Sequence, residues 1–330
     1  MKQHRLPGLA VLCLALSSTI ISCQKEDLSA NNAPATEASS PDGVGSIDVP
    51  DSDIAMATAL ASTTATSTTN TAFALPYTLS VNWNGKQNGG YVLPQSTSDF
   101  RQVAYWQGTS AQSQTYNGML RATLLKNTLS SGGVFSKIDI PDASYYRVSF
   151  DMQFAPDFDF SRGGKAGFGL LIGNGNMGGV SGADGNGGSF RLAWEKNAAG
   201  NIVLRPDVYY KDQPASFGNS FGKQFPATGS LKKGTWYKVV MTVKSNKGTA
   251  ANGVVQLVVN GSIVLNQAIR WTTNDAKRFI NNVCFENFRG GSETSFQSAT
   301  DGSLLFDNVV IKSLTTEGPA ATSVAPTPTP

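Results

Sequence analysis

Histidine, cysteine and charge are all scarce in this sequence. Its 330 residues contain one histidine and three cysteines, 15% of them are charged, and the formal net charge is +3. With a single histidine, at position 4, and no paired cysteines, the usual zinc-ligand sets cannot form, so we expect no metal and no organic cofactor. Without a basic cluster we also expect no nucleic-acid partner. An acidic polymer remains possible, because a local basic groove can bind it on a nearly neutral protein.

Residues 1–22 are typical of an export signal. Positive residues near the start precede an apolar stretch, 9–16, that is too short to span a bilayer. The stretch ends in Ile20-Ile21-Ser22-Cys23, which resembles the lipobox of bacterial lipoproteins. We therefore expect lipidation of Cys23, membrane attachment through that lipid, and a location at the outer membrane or cell surface. The alternative is an ordinary signal peptide with a chance cysteine.

Composition divides the rest of the chain into three parts. Residues 23–75 carry the lipidated cysteine and a Ser/Thr/Ala-rich flexible tether, and residues 314–330 form a disordered Pro/Thr tail. Between them, residues 76–313 form the folded domain. Cys284 is the one cysteine in that domain, so we expect no disulfide, and in an apolar run it is predicted to be buried filler rather than a nucleophile.

The domain shows β-strand signals throughout and no long helical periodicity. Residues 147–154 alternate between polar and apolar side chains, and Asn260-Gly261 between two apolar runs is typical of a type I′ hairpin. Many short strands separated by Gly, Asn and Asp turns predict an all-β fold. We expect a β-jelly roll or concanavalin-like sandwich of two antiparallel sheets, and a monomer.

Two consecutive predicted strands each carry a polar face. In residues 189–194, Ser189 and Arg191 point away from an apolar face, and in the next strand Arg205, Asp207 and Tyr209 do the same. Such faces suit a polar concave groove, with Tyr209 in the groove and the following Tyr210 in the core. The alternative is that both faces are only solvated.

Two glycine-rich segments accompany these strands. Gly163-Gly164 precedes Lys165, and we expect the glycines to allow a sharp turn that brings the lysine close to a neighbouring sheet. Residues 173–188 are predicted to form a mobile lid over the groove.

The motifs Phe158-Asp-Phe-Ser-Arg-Gly-Gly-Lys165, Ser189-x-Arg191-x-x-Trp194 and Phe288-Arg-Gly-Gly291 followed by Phe306-Asp-Asn308 resemble polysaccharide lyase family 14. This is the alginate and glucuronan lyase-like group, and its jelly-roll fold agrees with the strand pattern. The resemblance extends from about residue 116 to residue 311. It implies an enzyme that cleaves a uronic-acid glycan by β-elimination.

The resemblance also implies the site residues. Lys165, Ser189 and Arg191 match the family's lysine and Ser-x-Arg pair, whereas its Tyr-x-Tyr aligns with Asp207 and Tyr209, so one tyrosine is replaced. A histidine found in some members has no counterpart. We therefore predict Lys165, Arg191 and Tyr209 as catalytic. The predicted substrate-binding residues are Ser189, Arg205, Asp207, Gln153 and Arg289.

Two other functions fit parts of the sequence. A sandwich-fold glycoside hydrolase needs two carboxylates beside the scissile bond, and the domain has three glutamates, Glu195, Glu286 and Glu293. A non-catalytic surface glycan-binding lipoprotein fits the predicted anchor and the replaced tyrosine. In that protein tryptophans such as Trp83, Trp106 and Trp271 would stack on sugar rings; the alternative is that they belong to the core, as most tryptophans of a sandwich do.

Overall fold

The computed structural model describes residues 74–319. The predicted signal, Cys23 and almost all of the predicted tether lie outside the described residues, as do residues 320–330. Within the described part, no helix is long and apolar enough to cross a bilayer.

Strands make up most of the described chain, and one short α-helix precedes the third of them. The strands are β1 (Thr78–Val81), β2 (Gly89–Gly90), β3 (Val103–Gln107), β4 (Ser113–Tyr116), β5 (Met119–Leu124), β6 (Val134–Ala143), β7 (Tyr145–Phe154), β8 (Gly163–Lys165), β9 (Phe168–Gly173), β10 (Gly187–Lys196), β11 (Ile202–Tyr209), β12 (Trp236–Lys244), β13 (Gly253–Val259), β14 (Ser262–Ile269), β15 (Ile280–Arg289) and β16 (Gly302–Ser313). The α-helix is α1 (Leu93–Phe100), and 3-10 turns cover Ser130–Gly132, Gly182–Asp184, Asp275–Lys277 and Thr294–Phe296.

These strands form two antiparallel sheets, as predicted. The larger sheet of the described chain has nine strands in the order β14-β13-β12-β7-β16-β5-β4-β2, with β1 also paired to β16. The smaller has seven in the order β11-β10-β8-β15-β6-β3, with β9 paired to β10 and β15. The prediction of an all-β sandwich is confirmed.

Aromatic side chains from both sheets fill the space between them. Phe154 of the larger sheet packs against Trp194 of the smaller one with ring centroids 5.7 Å apart, and Phe158 lies 5.6 Å from the same indole. The indole Nε1 of Trp194 donates a hydrogen bond of 2.9 Å to the carbonyl of Phe160. Alternation explains this core, because every second residue of a strand faces the opposite sheet.

The tryptophans proposed as sugar-stacking residues belong to this core. Trp83 and Trp271 have no exposed surface, and Trp106 is buried as well. Trp106 stacks on Phe285 of the same sheet, with ring centroids 5.3 Å apart. Of the two alternatives the structure supports the core one, since the faces of these rings are covered by protein.

The predicted hairpin is present between β13 and β14. Asn260 and Gly261 have φ values of 50° and 79°, which a type I′ turn requires at both central positions. By contrast, helix α1 was not predicted. It has eight residues, begins with a proline in its first turn and buries Phe100 against the sheets. One or two turns are too short to produce a helical period in the sequence.

The folded domain continues past residue 313. The backbone N–H of Ser144 donates to the carbonyl of Glu317, and the Ser144 hydroxyl donates 2.8 Å to the Glu317 carboxylate. That carboxylate also pairs with Arg278 at 2.6 Å. Residues 314–319 therefore lie against the domain, whereas the prediction assigned them to a disordered tail.

Candidate active site

Lys165 is held in the smaller sheet by a strand built from glycines. Gly163, Gly164 and Lys165 form β8, which pairs with β10 on one side and β15 on the other. A Cβ on Gly164 would lie 2.1 Å from both the Phe288 carbonyl oxygen and the Trp194 ring. The glycines thus permit close packing of strand and indole, and the predicted sharp turn was wrong.

The register of β10 and β11 brings the predicted polar face together. Ser189 lies opposite Tyr209, and Arg191 lies opposite Asp207. Lys165 of β8 lies opposite Ala193 of β10, one step farther along the same face. Paired residues of antiparallel strands point to the same side of a sheet, so these side chains share the outer face of the smaller sheet. Tyr210 packs in the core, which confirms the predicted parity.

An ion-pair cluster occupies the centre of this face. The Asp207 Oδ2 atom lies 2.8 Å from Nη2 of Arg191 and 3.1 Å from Nζ of Lys165. On its other side, Arg191 donates through Nη1 to Glu286 Oε2 at 2.8 Å. Two cations and two carboxylates therefore balance one another, and we call Lys165, Arg191, Asp207 and Glu286 the charge cluster.

Burial and mutual charge shift the acidity of these groups. Burial lowers the pKa of Lys165 from its ordinary value, and the neighbouring Asp207 partly opposes that shift. Although burial acts to raise the pKa of Asp207, Lys165 and Arg191 outweigh it and hold that pKa below its usual range. Burial and then Asp207 raise the pKa of Tyr209, so its hydroxyl stays protonated at neutral pH.

The glycine-rich loop between β9 and β10 covers one end of the cluster. Ser189 donates its hydroxyl to the carbonyl of Asn176 at 2.7 Å, and the backbone N–H of Gly179 donates to the Tyr209 hydroxyl at 3.3 Å. The Tyr209 ring in turn lies beneath the Arg191 guanidinium at 5.4 Å. The hydroxyls of Ser189 and Tyr209 are therefore both hydrogen-bonded to backbone atoms of this loop.

The cluster is almost closed to solvent in this conformation. Lys165 is 2% exposed, Arg191 3% and Asp207 7%. Charged residues are rarely buried to this degree unless they are paired. This burial excludes the alternative that the polar face of β10 and β11 is only solvated.

Arg205 lies at the edge of the same face. It forms an ion pair with Glu195 of β10 and donates to the Ser220 hydroxyl. Its side chain is 24% exposed. The structure thus places Arg205 beside the charge cluster, in contact with its own carboxylate partner.

Two predicted substrate-binding residues lie elsewhere. Gln153 is on β7 of the larger sheet, between the core residues Met152 and Phe154, so it faces outward on the opposite side of the sandwich. Arg289 ends β15 and points inward: its Nη1 donates 3.0 Å to the Leu124 carbonyl, and its guanidinium lies 5.5 Å from the Phe158 ring. Neither residue faces the cluster, which corrects their assignment.

Several residues of the face were missed by the sequence analysis. Glu286 and Cys284 are two positions apart on β15 and alternate with the core residue Phe285. The alternation of strand side chains about the core residue Phe285 is the sequence signal that would have placed both residues on the outer face. Cys284 is buried, and the pKa of its thiol is raised by burial and then by Glu286, so the prediction of a buried cysteine is confirmed.

The face continues beyond the cluster onto β6 and β3. Lys137 pairs in register with Cys284 and with Tyr105, and all three point to the outer side of the smaller sheet. Phe135 stacks on Phe288 with ring centroids 4.7 Å apart. Lys137, Tyr105 and Phe135 are half-buried, so this extension offers a partly open polar and aromatic surface.

The three glutamates of residues 76–313 are each paired with an arginine. Glu195 contacts Arg205, Glu286 contacts Arg191, and Glu293 contacts Arg162 at 2.5 Å. Glycoside hydrolysis needs two carboxylates that face the scissile bond, whereas each of these three carboxylates forms an ion pair with an arginine of the protein. Residues 74–319 contain no group of three or more His, Cys, Asp or Glu side chains placed to hold a metal ion.

The fold and this site define a two-sheet β-sandwich with a buried lysine and arginine, paired with two carboxylates, on the outer face of one sheet. The family model of polysaccharide lyase 14 matches residues 94–309. The chain belongs to that family and is a polysaccharide lyase.

Solved structures agree with this assignment. The alginate lyase Aly36B is 46% identical, with a TM-score of 0.70 over 73% of this chain and 98% of that one; one of its structures is a double variant in complex with an alginate tetrasaccharide. The alginate lyase of Aplysia kurodai (19% identity, TM-score 0.53, 69% and 98% coverage) and the Chlorella virus lyase vAL-1 (22%, 0.51, 67% and 98%) share the fold. No curated protein matches the chain.

Proposed function

We propose that this lyase cleaves a uronic-acid polysaccharide of the alginate or glucuronan type by β-elimination at the charge cluster. The observation that carries the proposal is the contact between a buried lysine, a buried arginine and a tyrosine ring on one sheet face. The alginate oligosaccharide bound by Aly36B supports an acidic glycan as the substrate.

Arg191 is the proposed partner of the uronate carboxylate. The C5 proton of a uronate is weakly acidic, and negative charge spreads onto the carboxylate as that proton leaves. A planar guanidinium pairs with a carboxylate through two parallel hydrogen bonds. In a water-poor site this pairing stabilises the developing charge more strongly than water would.

Lys165 is the proposed base, and Tyr209 the proposed acid. Burial lowers the pKa of Lys165, which favours the neutral amine that accepts the C5 proton. The raised pKa of Tyr209 keeps its hydroxyl protonated, so it can donate to the leaving O4. The C5–H and C4–O4 bonds break, a C4=C5 double bond forms, and the electron pair of the broken C–O bond leaves on O4.

The loop of residues 174–186 is proposed to open before the polymer binds. The charge cluster is closed, and the hydroxyls of Ser189 and Tyr209 are bonded to Asn176 and Gly179 of this loop. Movement of the loop would expose the cluster and release both hydroxyls at once, Ser189 to orient the sugar and Tyr209 to protonate O4. Arg205, which lies opposite Ala193 at the edge of the same face, is the proposed contact for a neighbouring sugar.

The direct test is ultraviolet absorbance of the unsaturated uronate that β-elimination produces. Purified full-length protein is incubated separately with alginate, polymannuronate, polyguluronate and glucuronan, beside a Lys165→Ala variant. A rise with wild type and none with the variant is expected, and the responding polymer identifies the substrate. Flat traces with all four polymers, together with retarded migration of the protein in a gel containing one of them, would replace this proposal with non-catalytic binding.

We also propose that the protein is exported and attached to the outer membrane or cell surface through lipid on Cys23. The support is the order of positive residues, short apolar stretch and cysteine at the N-terminus. Wild type is expected in the membrane fraction, with a lipid-modified N-terminal cysteine by mass spectrometry. A Cys23→Ser variant that remains equally membrane-bound would refute the lipid anchor.

A further inference from the structure

We infer that Asp207 is an internal carboxylate that occupies the uronate-binding edge of Arg191 and lowers the affinity of this lyase for acidic glycans. The inference rests on the proposed function of the charge cluster and deepens it. It also changes the role of Asp207, which the sequence analysis predicted to bind substrate.

The hydrogen bonds of Arg191 identify the edge concerned. Nη1 is bonded to Glu286, and Nη2 contacts Asp207 at 2.8 Å. The third nitrogen of the guanidinium, Nε, is buried and has no hydrogen-bond partner. A guanidinium binds a carboxylate bidentately through two adjacent N–H groups, and the Nε–Nη2 edge is the pair that Glu286 leaves available.

Asp207 uses only half of that edge. A uronate carboxylate on the same edge would satisfy both Nε and Nη2, and the buried Nε would gain the partner it lacks. Leaving a buried donor without a partner is unfavourable. Asp207 must give up Nη2 for this to happen, so the substrate competes with a residue of the protein.

Asp207 also opposes substrate binding through its charge. With Asp207 present, the two carboxylates of the cluster cancel the charges of Lys165 and Arg191. Removing Asp207 would make the net charge of the cluster one unit more positive at either protonation state of Lys165, because Glu286 would be the one carboxylate left in the cluster. Arg205 at the edge is already paired with Glu195, so it adds no net positive charge to the cluster.

Comparison with the family indicates that Asp207 stands where other members have a tyrosine. Asp207 aligns with the first tyrosine of the family's Tyr-x-Tyr, and the lysine and tyrosine replaced in the Aly36B double variant have the same separation in sequence as Lys165 and Asp207. The chain accommodates the carboxylate closely, because a Cβ on Gly218 would lie 2.1 Å from Asp207 Oδ1.

Asp207 further sets the protonation of the proposed base. Its charge raises the pKa of Lys165 against the effect of burial, whereas Arg191 lowers it and Glu286 raises it. Tyr209 from β11 and Cys284 from β15 are the other titratable groups that interact with Arg191. Removing the Asp207 charge therefore favours the neutral amine at lower pH, and the ascending limb of kcat/KM should move to lower pH.

The experiment compares Asp207→Asn with wild type and with Asp151→Asn. Asp151 lies on the outer face of the larger sheet, so its variant makes the same change in net charge away from the site. KM is measured by ultraviolet absorbance with a polymannuronate tetrasaccharide. In parallel, Kd is measured by titration calorimetry with that tetrasaccharide and with uncharged mannotetraose.

Asp207→Asn is expected to lower KM and Kd for the acidic tetrasaccharide about tenfold, because like charges in a partly buried site repel more strongly than in water. Mannotetraose binding and the Asp151→Asn variant should stay at the wild-type values. The inference would be overturned if a folded Asp207→Asn protein bound the acidic tetrasaccharide with unchanged or lower affinity. It would also be overturned if that variant turned over substrate and the ascending limb of its kcat/KM against pH did not shift.

The outcomes also separate this inference from the proposed function. If wild type turns over the substrate and Asp207→Asn binds it more weakly, the proposed lyase function is supported and the inferred role of Asp207 is contradicted. If neither protein turns over the substrate but Asp207→Asn binds it more tightly, the inferred role of Asp207 is supported and the proposed function is contradicted. If Asp207→Asn does not fold, Asp207→Ser is measured in the same way, since it removes the charge with a smaller side chain.

Discussion

The outer faces of the two sheets have the same sequence pattern and different surroundings. On β7 of the larger sheet, Arg147, Ser149 and Asp151 alternate with core residues and are exposed or half-exposed. On β10 of the smaller sheet, Ser189 and Arg191 alternate with core residues in the same way and are buried. Alternation therefore identifies a polar face, but it does not say whether water or protein covers it.

The covering elements make the difference. The loop of residues 174–186 bonds to Ser189 and Tyr209, and Gly218 lies against Asp207. These contacts exclude water, and charges in such an environment must pair with one another. The loop that directly precedes β10 and the segment that follows β11 thus cover this polar face and turn it into a buried charge cluster.

The comparison is tested most strongly by removing one lysine from each face. Lys165→Ala should lower kcat/KM by about 10²- to 10⁴-fold, the range for loss of a general base. Lys238→Ala, on the outer face of β12, should stay within about twofold, because a solvated lysine takes no part in the proposed chemistry. Initial rates on the responding polymer measure both, and equal losses would show that the two faces do not differ in function.

Replacing an arginine on each face tests the energetic difference. Arg191→Met leaves Asp207 and Glu286 without their shared partner in a buried site, which should lower the free energy of unfolding by about 3–5 kcal/mol. Arg147→Met loses one hydrogen bond to Thr242 on an exposed face and should cost roughly 0.5 kcal/mol or less. Urea titrations measure both values, and a similar cost at the two sites would contradict the buried cluster.

A glycine in each sheet tests the packing that positions Lys165. Gly164→Ala places a methyl group 2.1 Å from the Phe288 carbonyl and the Trp194 ring, so it should lower stability by about 1–3 kcal/mol. Gly89→Ala in β2 meets no atom within 4 Å and serves as the control. Thermal unfolding distinguishes them, and wild-type stability of Gly164→Ala would show that β8 is not tightly held.

The acid dependence of stability gives the smallest expected effect. The folded protein holds the pKa of Asp207 below its ordinary value of 3.8. Its contribution is therefore complete above about pH 4 and is lost as the pH falls through the lower folded pKa. Wild type and Arg147→Met should lose unfolding free energy more steeply below pH 4 than Asp207→Asn does, and parallel curves for all three would contradict the shifted pKa.

The sequence by itself determined the all-β class, several of the strands and the parity of their faces. Alternation in residues 147–154 and 189–194 assigned the core sides, and Asn260-Gly261 located a hairpin whose turn needs positive φ. These signals are local, since they depend on backbone geometry within one strand or turn. The motifs around Lys165 and Arg191 likewise sufficed for the family.

Only the tertiary structure decided which of the polar residues meet. Gln153 and Arg289 were predicted for the site and face elsewhere, whereas Glu286, which was not predicted for the site, binds Arg191 directly. Pairing between distant strands, and the loops that cover them, depend on the whole chain. The role inferred for Asp207 comes from that long-range arrangement, because its two partners lie on strands β8 and β10 and the charge balance exists only when all of them are buried together.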